Sequence, residues 1–284
     1  MRSNLVAVAI CLCACGAEAQ DIGRIDISAE AVLGVSGIEV SADGSTFLAV
    51  SDAGWFLEGT LERNDSTLVG GEVTAVLPIL GQDGRPVAAR RVGDWSDAEG
   101  IAIGADGQLY VSFERWMRVV PYDDTTAIAG WIKDHPEFLS YPENRQMESV
   151  AIDPESRVIA LPESEGPAGG FPIYRLDDDG WQVATFIEAS NAYSIVGADF
   201  SDDGRLFILE RKLVLFTWWQ NRIREVDPET GAAKVIWEPG SNDYGNLEGI
   251  SIWRAPDGLR AVMIADNNGR ENIPTEIVEI RLTD

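Results

Sequence analysis

Apolar and polar residues alternate along this chain in short runs, and the runs come in pairs. The stretch "AEGIAIGADGQLYVSFE", residues 98–114, holds two apolar runs either side of an Asp-Gly turn, the pattern of a β-hairpin. Four further stretches repeat it: "SGIEVSADGSTFLAVSD" from 36, "MESVAIDPESRVIALPE" from 147, "VGADFSDDGRLFILER" from 196 and "LEGISIWRAPDGLRAVMIADN" from 247. The small residue near the start of each falls at Gly37, Gly100, Ser149, Gly197 and Gly249, so successive repeats lie 63, 49, 48 and 52 residues apart. A period of roughly 40–50 residues made of short alternating strands is that of a β-propeller blade.

A third strand-like run follows each hairpin: "FLEGTLER", "MRVVPYDD", "PIYRLDDD", "RIREVDPETG" and "TEIVEIRL". A fourth often comes next, as in "EVTAVLPI", "QVATFIEA" and "AKVIWEP". The last repeat stops after its third run, while "IGRIDISAEAVL" near the N-terminus has no hairpin partner of its own. The chain therefore predicts an all-β propeller of five blades, each a four-stranded antiparallel sheet, with the N-terminal strand completing the last blade so that no long edge stays open. The longer first spacing, containing the polar "GQDGRPVAARRVGDWSD", leaves room for a degenerate sixth blade. No run of helical period is long enough to predict a helix.

Ahead of the repeats, "MRSNLVAVAICLCACGAEAQ" has a basic start, an apolar stretch and small residues at Ala17 and Ala19, the order of a secretory signal peptide over residues 1–19. Residues 20–284 are then a single domain, periplasmic or secreted. The alternative is lipoprotein-type processing at "LCACG", which would tether the protein through a lipid on Cys15. Either way Cys11, Cys13 and Cys15, the three cysteines of the chain, fall in this leader. The domain itself has no disulfide and no thiolate ligand.

Acidic residues outnumber basic ones by 47 to 22, a formal net charge of −25. Such a surface repels nucleic-acid phosphates and anionic lipids, although solubility alone also accounts for it. The one histidine, His135, precedes a proline in a polar loop. Mechanisms needing several histidines are excluded, and "GVSGI" lacks the spacing of a nucleophile elbow.

Candidate chemistry comes from where the acids recur. The first strand of each blade lines a propeller's channel, so equivalent positions form a ring. At the first-strand position stand Ser36, Glu99, Glu148, Val196 and Glu248, and the two blades without an acid there carry Glu39 and Asp199 three residues later. The second strand ends on Asp52, Glu114, Glu163, Glu210 and Asp266. Each acid singly reads as a solvated strand end. In register, two carboxylates about 5 Å apart repel by about 3 kcal/mol at an effective dielectric near 20, so a cluster must bind cations, recruit arginines or keep protons. With no His or Cys to ligate, oxygen ligands suit calcium or another hard cation.

Arg115, Arg145, Arg211 and Lys212 adjoin these acids, either as internal ion-pair partners or as anchors for an anionic substrate. Metal and guanidinium groups together could hold a phosphate ester while a polarised water attacks and one carboxylate acts as base. Trp55-Phe56, Trp116 and Trp218-Trp219 follow the second-strand acids and read as packing between blades, or as a ligand platform.

In series, the blocks "SGIEV", "AEGIAI", "MESVAI", "LFILERK", "IREVD" and "NLEGISI…VMIADNN" resemble the phytase-like propeller family described by an esterase-like activity, distantly similar to β-propeller phytases. The resemblance implies a secreted propeller that hydrolyses phosphate or other esters with calcium. By position in those blocks it implies site roles for Asp52, Glu99, Glu114, Glu148, Glu210, Arg211, Glu248 and Asp266, with Asn267 beside the last. Taken with the ring positions, the expected catalytic residues are Glu99, Glu148, Glu248 and Glu210, the expected substrate contacts Arg115, Arg145, Arg211 and Lys212, and the expected metal ligands Asp52, Glu99, Glu114, Glu148, Glu163, Glu248, Asp266 and Asn267. Two other readings stay open: a lactonase-type hydrolase using Asp266, Asn267 and Asn268, and a non-catalytic ligand-binding propeller with structural calcium.

Overall fold

The computed structural model describes residues 19–27, 34–89, 96–143, 145–267, 270 and 273–282. Residues 1–18 of the expected leader, with its three cysteines, and Asn268 lie outside the described residues. No helix among the described residues is long and apolar enough to cross a membrane.

The strands form five antiparallel sheets arranged as a five-bladed propeller. β1 (Gln20–Ile27) stands apart from its neighbours in sequence. Blade I holds β2 (Val35–Val40), β3 (Thr46–Ser51), β4 (Trp55–Asn64) and β5 (Thr67–Pro78), and blade II holds β6 (Ala98–Ile103), β7 (Leu109–Phe113) and β8 (Arg118–Tyr122). Blade III follows with β9 (Met147–Ile152), β10 (Val158–Pro162), β11 (Phe171–Asp177) and β12 (Gly180–Ile187), and blade IV with β13 (Ser194–Phe200), β14 (Leu206–Val214), β15 (Trp218–Val226) and β16 (Ala233–Trp237). Blade V is β17 (Asn246–Ala255), β18 (Gly258–Asp266), β19 (Thr275–Arg281) and, outermost, β1. The register Gln20 to Arg281 through Ile27 to Thr275 closes the ring as the unpaired N-terminal run predicts.

Among the described residues the extra length before the second repeat makes no sixth blade. It goes into the long β4–β5 hairpin and the segment that follows, with a short 3-10 turn at Val87–Ala89. Blade II is three-stranded among the described residues, a departure from the four expected. Residues 128–130 run beside β8 instead, where the Gly130 amide donates to the Pro121 carbonyl at 2.8 Å.

Five apolar clusters fill the five spaces between neighbouring blades. Strand β14 shows how: Leu206 and Ile208 pack toward blade III while Phe207 and Leu209 pack toward blade V. Because successive side chains point to opposite faces and both faces are covered, the strand reads as an unbroken apolar run.

Around the axis the first strands meet backbone to backbone. A Cβ on Gly100 would lie 2.7 Å from the Glu148 carbonyl oxygen, and one on Gly249 would lie 2.6 Å from that of Ser36. Glycine is needed where main chains approach this closely. The space left between the five strands is about 10 Å³, room for no more than one water. The channel is thus pinched, and its upper end is a shallow bowl.

The seam between blades V and I is clamped by charge as well as by β1. Fully buried Glu279 accepts two hydrogen bonds from the Arg63 guanidinium at 2.9 Å and one from Trp253 Nε1 at 2.8 Å, with buried Arg260 at 4.0 Å. Arg260 keeps Asp257 as a partner at 2.5 Å, but Glu279→Ala takes the carboxylate from part-buried Arg63 and from Trp253 Nε1, so we expect a loss of about 3 kcal/mol and a fall of about 10 °C in Tm by thermal melting.

Candidate functional site

Every blade carries a β-bulge at the top of its first strand. Pairing skips Ser36 in blade I, Glu99 in blade II, Glu148 in blade III, Val196 in blade IV and Glu248 in blade V. A bulge inserts one residue and re-aims its side chain. Here it brings buried Glu99, Glu148 and Glu248 together at the mouth of the bowl.

Opposite the residue two positions before each bulge stands the end of the second strand. These pairs are Gly34 with Asp52, Asp97 with Glu114, Gln146 with Glu163, Ser194 with Arg211 and Asn246 with Asp266. Blade IV therefore departs from the expected set of acids: Arg211, not Glu210, occupies the ring position. Glu210 pairs with Ile195, one residue deeper, on the opposite face of the sheet. Its carboxylate is fully buried, accepting from Arg222 Nε at 2.5 Å and from Arg224 Nε and Nη2 at 2.8 and 2.5 Å. It ties β14 to β15 and takes no part in the mouth. Lys212 shares that face, with its ammonium over the Tyr193 ring at 4.1 Å, on the side of the sheet opposite Arg211.

The mouth is electrostatically divided. On the side of blades IV and V, Arg211 is paired with Glu248 and donates to Asn246 Oδ1 at 2.5 Å. The Asn246 amide in turn donates to Glu248 at 2.8 Å and to Asp266 at 3.4 Å. Asn267 accepts from the Gly34 amide at 3.3 Å. Glu148, Glu163 and Glu248 hold Arg211 charged and above its ordinary pKa, against the burial that pulls it down.

On the side of blades II and III the acids outnumber the cations. Carboxylate oxygens of Asp97, Glu99 and Glu114 all lie within 4.8 Å of one another, and so do those of Glu114, Glu148 and Glu163. Glu114 belongs to both triads. Arg115 reaches Asp97 at 3.0 Å and Arg145 reaches Glu163 at 3.5 Å, both from the half-exposed rim. Arg145 also donates to Ser194 Oγ at 3.3 Å. Asp97 is absent from the acids singled out in the sequence; its signal is the position two before the bulge, which is polar in blades II to V.

Burial and mutual repulsion push these acids toward the protonated form. Burial, then Asp97 and Glu163, raises Glu114 to about 8. Partial burial of its carboxyl, then the nearby Asp266, Asp97 and Glu248, raises Asp52 at the rim to about 7. Glu99 and Glu148 are likewise raised, first by burial and then by Glu248 and Glu99 respectively.

Glu39 and Asp199 do not substitute for the missing acids at the mouth. They sit three residues farther along their strands, inside the channel wall, where Asp199 accepts from the Ile252 and Phe200 amides at 2.6 and 2.7 Å. Glu39 accepts from Ser251 Oγ at 3.2 Å. His135 caps a 3-10 helix at Pro136–Ser140, its Nδ1 accepting from the Glu137 amide. Phe56 is fully buried, whereas Trp116 and Trp218 are exposed.

Residues 30–269 match the phytase-like family, described as "esterase-like activity of phytase". Among curated proteins none matches the chain. Among solved structures, the PQQ-bound aldose sugar dehydrogenase of Streptomyces coelicolor is similar with 14% identity, 92% of this chain and 98% of that chain covered, and a TM-score of 0.51. The catalytic domain of the Coprinopsis cinerea GH62 α-L-arabinofuranosidase is similar with 10% identity, 94% and 96% coverage, and a TM-score of 0.50. The Malassezia sympodialis allergen Mala s 1 has 10% identity, 87% and 77% coverage, and a TM-score of 0.50. At these identities the likenesses show the fold alone.

A carboxyl with a raised folded-state pKa stabilises the fold fully below the ordinary carboxyl range and loses that contribution as pH rises through the folded value. For Asp52 and Glu114 that loss runs up through about 7 and about 8. In chelator-treated protein we expect Tm to fall steadily between about pH 5 and about pH 9. Scanning calorimetry across that range checks it; a Tm that rises with pH would contradict the assigned shifts.

Proposed function

The chain belongs to the phytase-like family, and from that premise we propose that it is an exported, hard-cation-dependent hydrolase of phosphate or other esters, working at the blade II and III half of the bowl. The observation that carries this reading is the pair of overlapping carboxylate triads joined through Glu114. The donor set fits a calcium-class ion: it is all oxygen and over-supplied with negative charge, while the single imidazole is engaged in a helix cap. Asp97, Glu99, Glu114, Glu148 and Glu163 would hold the ion, with Glu114 shared. When bound, such an ion supplies charge compensation for the carboxylates and polarises an ester oxygen.

The chain's own groups supply the rest. Asp52 stands at the rim facing Asp97, Asp266 and Glu248, and with a pKa near 7 it is suited to take a proton from an attacking water at its carboxylate oxygen. Arg145 is half exposed and held only at 3.5 Å by Glu163, so it can turn to a substrate anion. Arg211 is a poorer anchor because Glu248 already neutralises it; its part is to hold Glu248 and Asn246 in place. A lactone-type site at Asp266 and Asn267 is less favoured, since hydrogen bonds to Asn246 and Gly34 already occupy those groups.

The test is a calcium titration of chelator-treated protein, followed by Tm and by turnover of p-nitrophenyl phosphate and p-nitrophenyl acetate. Saturable binding that raises both stability and turnover is expected, with both gains reduced at least about tenfold in apparent affinity by Glu114→Gln. A raised Tm without turnover of either ester would replace the hydrolase reading with a ligand-binding propeller. No binding at all would remove the metal site.

A further inference from the structure

Blade II lacks a regular fourth strand among the described residues, and its outer edge is a groove rather than a paired sheet. The groove encloses about 500 Å³ between β8, the β7–β8 turn and the segment around Gly130, a size typical of small-molecule sites. Two tryptophans line it, Trp116 from the turn and Trp131 from the segment, and they are 65% and 70% exposed. Tryptophan is ordinarily well buried, so two indoles this exposed on one groove offer an apolar surface to a ligand.

Trp116 also sits at φ +56, in the left-handed region that bulky side chains seldom adopt. Backbone held in that region marks a position fixed by its surroundings, and here Gln146 Oε1 accepts from the next amide, Met117, at 3.0 Å. The indole is thereby presented outward on a rigid turn. Trp131 is placed as firmly: Gly130 precedes it, donates to Pro121 and has no room for a Cβ, which would lie 2.8 Å from Pro121 Cγ.

The polar lining is rich in acceptors. Asp83, Asp134 and Gln82 share the groove with the two indoles, and Gln82 spends its amide on the Gly130 carbonyl at 3.2 Å, leaving its oxygen on the acceptor side; the one cation among the described lining residues, Arg118, lies over the Phe113 ring at 4.0 Å and donates to the Arg115 carbonyl. Acceptors call for a ligand that brings donors, and the charge of −25 disfavours anions. An uncharged polyol with an apolar face meets both demands: its C–H face lies on an indole and its hydroxyls donate to the carboxylates. We propose that the Trp116–Trp131 groove is a binding site for a neutral saccharide, separate from the acidic bowl.

Isothermal titration calorimetry of the full chain with cellohexaose, maltohexaose and chitohexaose tests this, with and without chelator. Binding of at least one is expected and is expected to survive chelation. Trp116→Ala and Trp131→Ala should each weaken it about tenfold, and Trp116→Phe should restore most of the loss, while Tm stays within a few degrees of the parent. No heat with any of the three sugars overturns the proposal, as does unchanged affinity in the Trp116→Ala/Trp131→Ala double variant. Heat with tetramethylammonium but with no sugar would assign the indoles to a cation and overturn it equally.

Discussion

Backbone contact between the five first strands is the constraint from which the rest of this molecule follows. Where Gly100 lies against the Glu148 carbonyl and Gly249 against that of Ser36, no side chain fits. The strands can then converge until the channel is all but closed. Residues some fifty positions apart become neighbours. A bulge at the same height in every blade turns one side chain of each first strand into the bowl. Ring closure by β1 and the buried Glu279 clamp keep that convergence from relaxing at the seam.

Crowding acids in one bowl creates an electrostatic problem, and the chain solves half of it internally. Arg211 takes the ring position of blade IV and neutralises Glu248, with Asn246 bridging to Asp266. Blades II and III have no equivalent buried cation among the described residues, and their two arginines stand at the solvent rim. The excess charge therefore concentrates around Glu114, where raised pKa values record the cost of ionising without a counter-ion. A propeller that needed its acids only for solubility would gain nothing from burying them.

Much of the fold was readable because propeller repeats announce themselves. Period-two runs, Asp-Gly turns and an unpaired N-terminal strand pointed to five blades and to the closure, each for a local physical reason. The site was legible to the level of the ring and no finer. Glu210 was attractive as an acid at the end of "LFILE", yet the interval between first- and second-strand acids is fifteen in blades II and III, and fifteen from Val196 is Arg211. One residue of register moves a side chain across the sheet, so spacing and not residue type identifies the ring position. Asp97 carries no strand pattern of its own, because it precedes its strand and enters the site through the register with Glu114. The partition of the bowl depends on which arginine reaches which acid, and that is a property of the three-dimensional ring.

The central claim is that uncompensated carboxylates of blades II and III form a cation site joined by Glu114. A crystal structure of the protein grown with calcium tests it most directly, through the anomalous difference density of the ion. The account predicts density bridged by Glu114, among Asp97, Glu99, Glu148 and Glu163. Density instead at Asp266 and Asn267, or a bowl with no ion while Glu114 is ionised, would contradict it.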